Sequence, residues 1–370
     1  MLRATFLGAS MLLLAATASA ASLADLSGGT ADPLKNPSAL SPHSLHLLMT
    51  AVAWTGERLV SVGERGTILL SDDQGASWRQ VRSPVRATLT AATFPAPQTG
   101  WVVGNGGVLL QTRDGGETWA KAFDGVEAAA IELAAAKAAL ERAPGDAAVQ
   151  RRMREAEGLV ADGPDKPLLD VRFLDETRGL VVGAYGLAFR TDDGGRHWRS
   201  IMGEIDNPAG HHLYGIAATP DALVLVGEQG AVFRSTDGGQ SFQAEKPVGR
   251  GSLFGAVTTR SGALVAFGLR GALFRSEDGV NWARIGSRSA SINAGAVLAD
   301  GTVLLADETG TLARSRDDGR SFEDMRLPDP TPCFGLAAAG SDALVVAGPG
   351  GNVRVPAALV RGANAQGIAQ

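Results

Sequence analysis

The sequence predicts an all-β fold, a seven-bladed β-propeller interrupted by one inserted α-helical hairpin. Three observations carry that expectation. The phrase GAYGLAFRTDDGGRHW (183–198) links two glycine-bracketed turns through a short apolar run, and variants of it recur along most of the chain. The aspartates of the second turn fall at Asp73, Asp114, Asp193, Asp237, Asp278 and Asp317, with gaps of 41, 79, 44, 41 and 39 residues. Self-similarity at about forty residues, with several short strands per copy, is the signature of a propeller. The one long gap coincides with a stretch rich in Ala, Glu, Arg and Leu at 126–159, the best helix formers.

Taken in order, residues 1–20 (MLRATFLGASMLLLAATASA) read as a secretory signal peptide. Arg3 supplies the positive start, and Ala18-Ser19-Ala20 is an A-x-A cleavage signal. The apolar run is shorter than the ~20 residues of a membrane span. The mature protein is therefore expected in the periplasm or outside the cell after cleavage near Ala20. Cys333 is the single cysteine, so no disulfide framework is expected and no cysteine follows the signal for lipid attachment. Residues 21–40 read as an extended leader.

The propeller is expected over 41–361. Its first copy is TAVAW (50–54), RLVSVG (58–63), the turn GERG (63–66), TILLS (67–71) and the closing turn SDDQGASW (71–78). Copies follow at 89–119, 168–198, 212–242, 252–282 and 291–322, with the turns GNGG, GAYG, GEQG, GLRG and DETG. A seventh copy at 331–355 has GPGG but no closing turn. Its outer strand is expected from the other end of the chain, about Ser41 to Leu48, so that ring closure removes the sheet edges. A helical hairpin is expected over 124–165, split at Pro144-Gly145. Ile131, Leu133, Leu140, Val149 and Met153 are its apolar positions. The tail 362–370 is expected to be flexible.

The closing turn has the form S/T-x-D-x-G-x-x-W/F, the Asp-box or BNR repeat. Its members are Asp73 with Trp78, Asp114 with Trp119, Asp193 with Trp198, Asp237 with Phe242, Asp278 with Trp282 and Asp317 with Phe322. The aspartate is expected to accept amide hydrogen bonds within its own turn, and the glycine to take a left-handed conformation. The aromatic is expected to pack beneath. In the fifth box Trp282 stands four residues after Asp278, one fewer than elsewhere, so its bonding should differ. In the sixth copy Asp307 replaces the first glycine of G-x-x-G.

Several functions lack their residues. A net charge of −5 without a basic stripe argues against nucleic acid. The G-x-x-G turns open no helix, so they are not phosphate loops, and no cofactor is implied. His43 and His46 have no third ligand nearby, and His211-His212 begins a blade, so no metal site is implied. The box aspartates sit one per blade, whereas glycoside hydrolysis needs two carboxylates within about 5–10 Å. Arg190, Arg234, Arg275 and Arg314 each stand three residues before a box aspartate, a ladder expected to brace the neighbouring strand or box.

The phrases GERGTILLSDDQGASW, GNGGVLLQTRDGGETW and GAYGLAFRTDDGGRHW resemble the photosystem II stability/assembly factor family over about residues 45–355, apart from the insert. The resemblance implies a non-catalytic propeller that serves the assembly or stability of a membrane protein complex. Members in non-photosynthetic bacteria look like periplasmic accessories, commonly encoded beside RND-type exporters. The competing classes are a sialidase-like BNR glycosidase and a glycan-binding propeller. A sialidase phrase F-R-I-P is absent, and only Tyr185 and Tyr214 are available as tyrosines.

A partner surface is expected on the G-x-x-G face, where the frame repeats while the tips differ. Arg65, Tyr185, Glu228, Arg270 and Glu308 are its candidate contacts, with the hairpin as a second contact. The protein is expected to be a monomer.

Overall fold

The computed structural model describes residues 32–356, apart from 287, 328–329 and 341–342. The expected signal peptide, most of the expected leader and the expected tail lie outside the described residues. Seven antiparallel sheets follow one another along the chain, six of four strands and a last of three. Their inner strands are Met49–Trp54, Leu89–Ala96, Leu168–Phe173, Leu213–Ala218, Leu253–Thr258, Ile292–Val297 and Gly335–Ala339. Each inner strand packs against the next, and the seventh packs against the first, so the ring is closed.

The second strands explain why the ring must close. LVSVG (59–63), GLVVG (179–183), LVLVG (223–227) and LVAFG (264–268) are buried throughout, because each sheet is covered on both faces. The described apolar residues form seven clusters, each shared by two adjacent blades. The cluster between blades seven and one joins Ala337, Ala339 and Val345 to Met49, Leu59 and Leu69. The Ser61 hydroxyl adds a 2.8 Å bond to Asn352 across the same seam.

Closure differs from expectation in one respect. Residues Pro42–His46 form a 3-10 turn beside the third strand of blade seven and supply no fourth strand. Pro42 has no amide to donate to a ladder. Ser41 caps the turn, its hydroxyl accepting the His43 amide at 3.2 Å. The seam is therefore closed by side-chain packing instead of a shared sheet.

The described part of the leader is docked. Leu34 is buried in the core between blades one and two. The Arg86 amide donates to Pro33 at 2.7 Å, and Ser38 and Ser83 exchange two bonds of 2.9 Å.

The hairpin is α1 (Gly125–Arg142) and α2 (Ala147–Asp162). Asp124 and Glu127 form a capping box at the start of α1, and Asp146 caps α2. Ala128 lies in the core of blades two and three, with Ile131 and Leu159 packed against it. Leu133, Leu140, Val149 and Met153 are half-buried. A buried carboxylate, Glu132, fastens the hairpin to the ring. It takes both Arg152 nitrogens at 2.8 and 3.0 Å and the hydroxyl of Ser200. Ser200 belongs to the outer strand of blade three, only Arg199–Ser200, so α1 covers an edge that would otherwise be open.

The Asp-boxes bond as expected, with one addition. Asp73 accepts the Ser77 amide at 2.8 Å and the Ser77 hydroxyl at 2.6 Å. Those bonds hold its carboxyl down to about 2. The Ser71 hydroxyl donates to Asp73 and accepts the Gly75 amide at 2.7 Å, so Ser/Thr and Asp share one knot. Asp114, Asp193, Asp237 and Asp317 repeat it. In the shorter fifth box Asp278 instead takes the amides of Val280 and Asn281. The knot places the aromatic: Phe242 and Trp119 are buried, and Trp119 donates its indole N–H to Gly116 at 2.9 Å. Trp198 lies edge-on to the fully buried Trp101, which stacks on Phe173 at 5.0 Å. Gly195 is left-handed at φ 77, and a Cβ there would stand 2.0 Å from the Trp101 ring.

Two stability measurements test this account. Trp101→Ala should lower the unfolding free energy by about 3–5 kcal/mol in urea titrations, and the same change at half-buried Trp78 by less. Arg152→Ala leaves Glu132 buried and unpaired and should cost about 3 kcal/mol or more, with the double change Glu132→Met and Arg152→Met recovering much of the loss.

Candidate functional site

The G-x-x-G turns lie on one face of the ring, at the mouth of the central channel. In blades one to five the third residue is left-handed: Arg65 at φ 57, Gly106 at 72, Tyr185 at 56, Gln229 at 55 and Arg270 at 52. Side chains other than glycine rarely adopt this region, so four of the tips carry strain that the surroundings must hold. The closing glycine is required by crowding as well as by φ. At Gly66 a Cβ would stand 2.0 Å from the Val85 carbonyl oxygen.

Three of the four strained tips are hooked to the next blade. The Tyr185 amide donates to Nδ1 of His212 at 2.8 Å, the Gln229 amide to the Ser252 hydroxyl at 3.4 Å and the Arg270 amide to the Ser291 hydroxyl at 3.2 Å. Glutamates at the second position are staples within their own blade. Glu64 takes the Leu48 amide, Glu228 the His212 amide at 3.4 Å and Glu308 the Ser291 amide at 2.8 Å. Glu228 and Glu308 therefore lie on the expected face but spend a carboxylate oxygen on the scaffold. In the DETG turn Asp307 takes the amides of Thr309 and Thr311, so a buried carboxylate does the work of the missing glycine.

The five expected contacts stand on five different blades of this face. Arg65, Arg270 and Tyr185 are exposed at their tips, Tyr185 by 58%. Lys166 sits 5.1 Å over the Tyr185 ring and pairs with Asp162 and Asp165.

A second set of residues was not singled out from the sequence. Inner strands one to six shift register next to their first residue, and the bulged positions are Thr50, Thr90, Leu169, Tyr214, Phe254 and Asn293. Phe334 precedes Gly335 in blade seven and is 41% exposed. These residues sit at the mouth, beside the tips. From blade three to blade five they form an aromatic run. Tyr185 meets His212 edge-on at 4.8 Å, His212 meets Tyr214 at 6.1 Å, and Tyr214 meets Phe254 at 5.7 Å. Burial, and then the charge of Glu228, raises the Tyr214 hydroxyl above the usual tyrosine range. Counted back from the first residue of each turn, these residues stand 13 or 14 positions earlier in every repeat, a regularity that the sequence already carries.

The next position along the inner strands is Ala51, Ala91, Gly215, Gly255, Ala294 and Gly335 in six blades, and Asp170 in blade three. The space is tight: a Cβ at Gly215 would stand 2.9 Å from the Gly255 Cα. Asp170 uses its carboxylate to pin blade three to blade four, taking the Ile216 and Val171 amides at 2.8 Å each. Part of the carboxyl surface is accessible, yet protein surrounds it, and desolvation pushes its pKa up to about 6 despite those two bonds and the charge of Arg172.

Three of the four ladder arginines are held by bonds beside the boxes, whereas the buried Nε of Arg234 has no hydrogen-bond partner among the described residues. Arg190 bonds Asp192 and the Gly238 carbonyl in the next box, and Arg275 bonds Glu277 and the carboxylate and carbonyl of Asp318. Arg314 pairs with Glu323. Cys333 is buried, and desolvation pushes its thiol up to about 12. Among the described residues there is no cluster of three or more His, Cys, Asp or Glu placed to hold a metal.

A family model described as "Photosynthesis system II assembly factor YCF48" matches residues 70–136 and 158–285, more than half of the chain. The chain belongs to that family. The match omits 137–157, which lies inside the hairpin. Among curated relatives, the chloroplastic photosystem II stability/assembly factor HCF136 of Cyanidioschyzon merolae is 47% identical over 57 residues, 15% of this chain and 13% of that protein. The photosystem II assembly protein Ycf48 of Synechococcus sp. (strain JA-2-3B'a(2-13)) is 30% identical over 158 residues, 40% of this chain and 46% of that protein. The chain spans less than half the length of the curated relatives it matches. Among solved structures, YCF48 bound to D1 peptide aligns with a TM-score of 0.59 at 18% identity, covering 85% of this chain and 94% of that one. The WD40 propeller domain of Doa1 aligns at 0.58 and 10% identity, covering 88% and 97%. Those likenesses show the propeller fold.

Asp170 gives a pH test. Its folded pKa lies above the unfolded value, so its contribution is fully present below about pH 4 and is lost as pH rises through 6. Between pH 4 and 7.5 the stability of Asp170→Ala should therefore rise relative to the native protein by roughly 1–3 kcal/mol. Urea titrations at the two pH values measure the difference.

Proposed function

We propose that this chain is a non-catalytic accessory factor that grips a segment of a membrane protein complex during assembly, using the G-x-x-G face of blades three to five. Membership of the assembly-factor family is the observation that carries the reading. The relative whose structure is described as bound to D1 peptide makes a peptide segment a reasonable occupant here. Local geometry favours this face. Tyr185 is an exposed aromatic anchor on a rigid ring, backed by His212, Tyr214 and Phe254. The leader covers the junction of blades one and two, and the start of the hairpin approaches the tip of blade two, where Gly125 packs on Gly107. At blades three to five Tyr185 is exposed, and Tyr214 and Phe254 are half-buried.

The signal-like start supports action in the periplasm, beside an envelope complex such as an RND-type exporter. Arg190, Arg275 and Arg314 are engaged within the scaffold, one on each of three blades, an arrangement that does not favour a sialidase-like carboxylate clamp.

Site-specific photocrosslinking tests the proposal. A photoreactive residue at position 185 should capture a membrane protein in intact envelopes, and the same residue at Val280, exposed in the fifth box, should not. Tyr185→Ala with Arg270→Ala should reduce co-purification of that protein about tenfold with little change in stability. Unchanged capture would remove these residues from the interface.

A further inference from the structure

The tip of blade three is held by an imidazole, and that hold depends on a proton. Tyr185 is a bulky residue in the left-handed region, and its amide donates to Nδ1 of His212 at 2.8 Å. A ring nitrogen that accepts a hydrogen bond carries no proton, so the contact requires the neutral tautomer with its proton on Nε2. At the next two junctions the hooks end on the hydroxyls of Ser252 and Ser291, which accept over the whole neutral and mildly acidic range. One of the three hooks is therefore proton-labile, and it holds the most exposed aromatic of the face.

We propose that His212 is a proton-operated latch on the Tyr185 tip: neutral, it holds the strained turn, and protonated, it lets the turn go. A proton on Nδ1 turns the acceptor into a donor that points at the Tyr185 N–H. Two donors then face each other, and the left-handed Tyr185 loses the bond that offsets its strain. The consequence for binding rests on the partner-face reading given above; the latch itself does not.

Charged groups surround the hook. Glu228 takes the His212 amide at 3.4 Å and lies 4.0 Å from Nδ1 of His211. Lys166 lies 5.1 Å from the Tyr185 ring centre and pairs with Asp162 and Asp165. The Asn207 side chain holds the backbone of His211 at 3.0 Å in both directions and fixes the approach of the pair. On the remaining side stand the Tyr185 and Tyr214 rings.

Nitrogen NMR of the histidine rings and amide hydrogen exchange test the latch without any partner. At about pH 8 the His212 ring should be the Nε2–H tautomer. Between about pH 8 and pH 5, protection of the Tyr185 amide, corrected for intrinsic exchange, should fall about tenfold, while that of Gln229 and Arg270 holds. His212→Ser copies the neighbouring hooks and should keep protection at both pH values. An Nδ1–H tautomer at pH 8, or Tyr185 protection that ignores pH in the native protein, overturns the proposal. Crosslinking from position 185 separates it from the partner reading. Yield that falls with acid in the native protein but not in His212→Ser supports the latch acting on binding, and equal yield at both pH values overturns that role. Absence of any adduct, with the hook titrating as expected, removes the partner face and leaves the latch standing.

Discussion

No sheet in this molecule can cover itself. The second strands are apolar on both faces, so every blade needs a neighbour on either side. The seven apolar clusters are shared cores, half from one blade and half from the next. An open array would leave two such faces exposed to water. Closure at the seam of blades seven and one is therefore demanded by burial, and side-chain packing there does what a shared strand does in other rings. The same mutual dependence makes the ring rigid, and rigidity lets the tips differ without loss of register.

Repetition supplies the ring, and departures from repetition supply its asymmetry. The leader fills the junction of blades one and two, and the hairpin is fastened to blade three through Glu132. Blade three also carries Asp170 where the other blades carry Ala or Gly. The hook from blade three ends on His212 where the next two end on serine. These departures gather around blades two to four. On the opposite face, the box aspartates are occupied in their turns, and Arg190 and Arg275 brace the neighbouring boxes.

Two kinds of stored cost lie at the channel mouth. The left-handed Arg65, Tyr185, Gln229 and Arg270 hold backbone strain, and Asp170 holds a carboxylate in a poorly hydrated wall. The repeated turn explains the first. Two neighbouring amides offset part of the second and tie blade three to blade four.

The blade count, the box chemistry and the hairpin were legible in the sequence, because each rests on contacts within a few residues. Asp73 bonds Ser77, Asp124 bonds Val126, and glycines mark the turns, so local spacing carries the information. The face of Arg65, Tyr185 and Arg270 was legible for the same reason. The roles of Glu228 and Glu308 were not, since their carboxylates meet amides 16 and 17 residues away. Nor was the aromatic run, whose members come from three blades and meet only when the ring closes. The docking of residues 41–48 on the last blade was anticipated, but not that they form a 3-10 turn at Pro42–His46, where Pro42 has no amide to donate to a ladder. By itself the sequence determined the repeat and its turns, through short-range hydrogen bonds. Only the tertiary structure decided which side chains are spent on holding blades together and which stay exposed on the turn face, because that choice is made between blades.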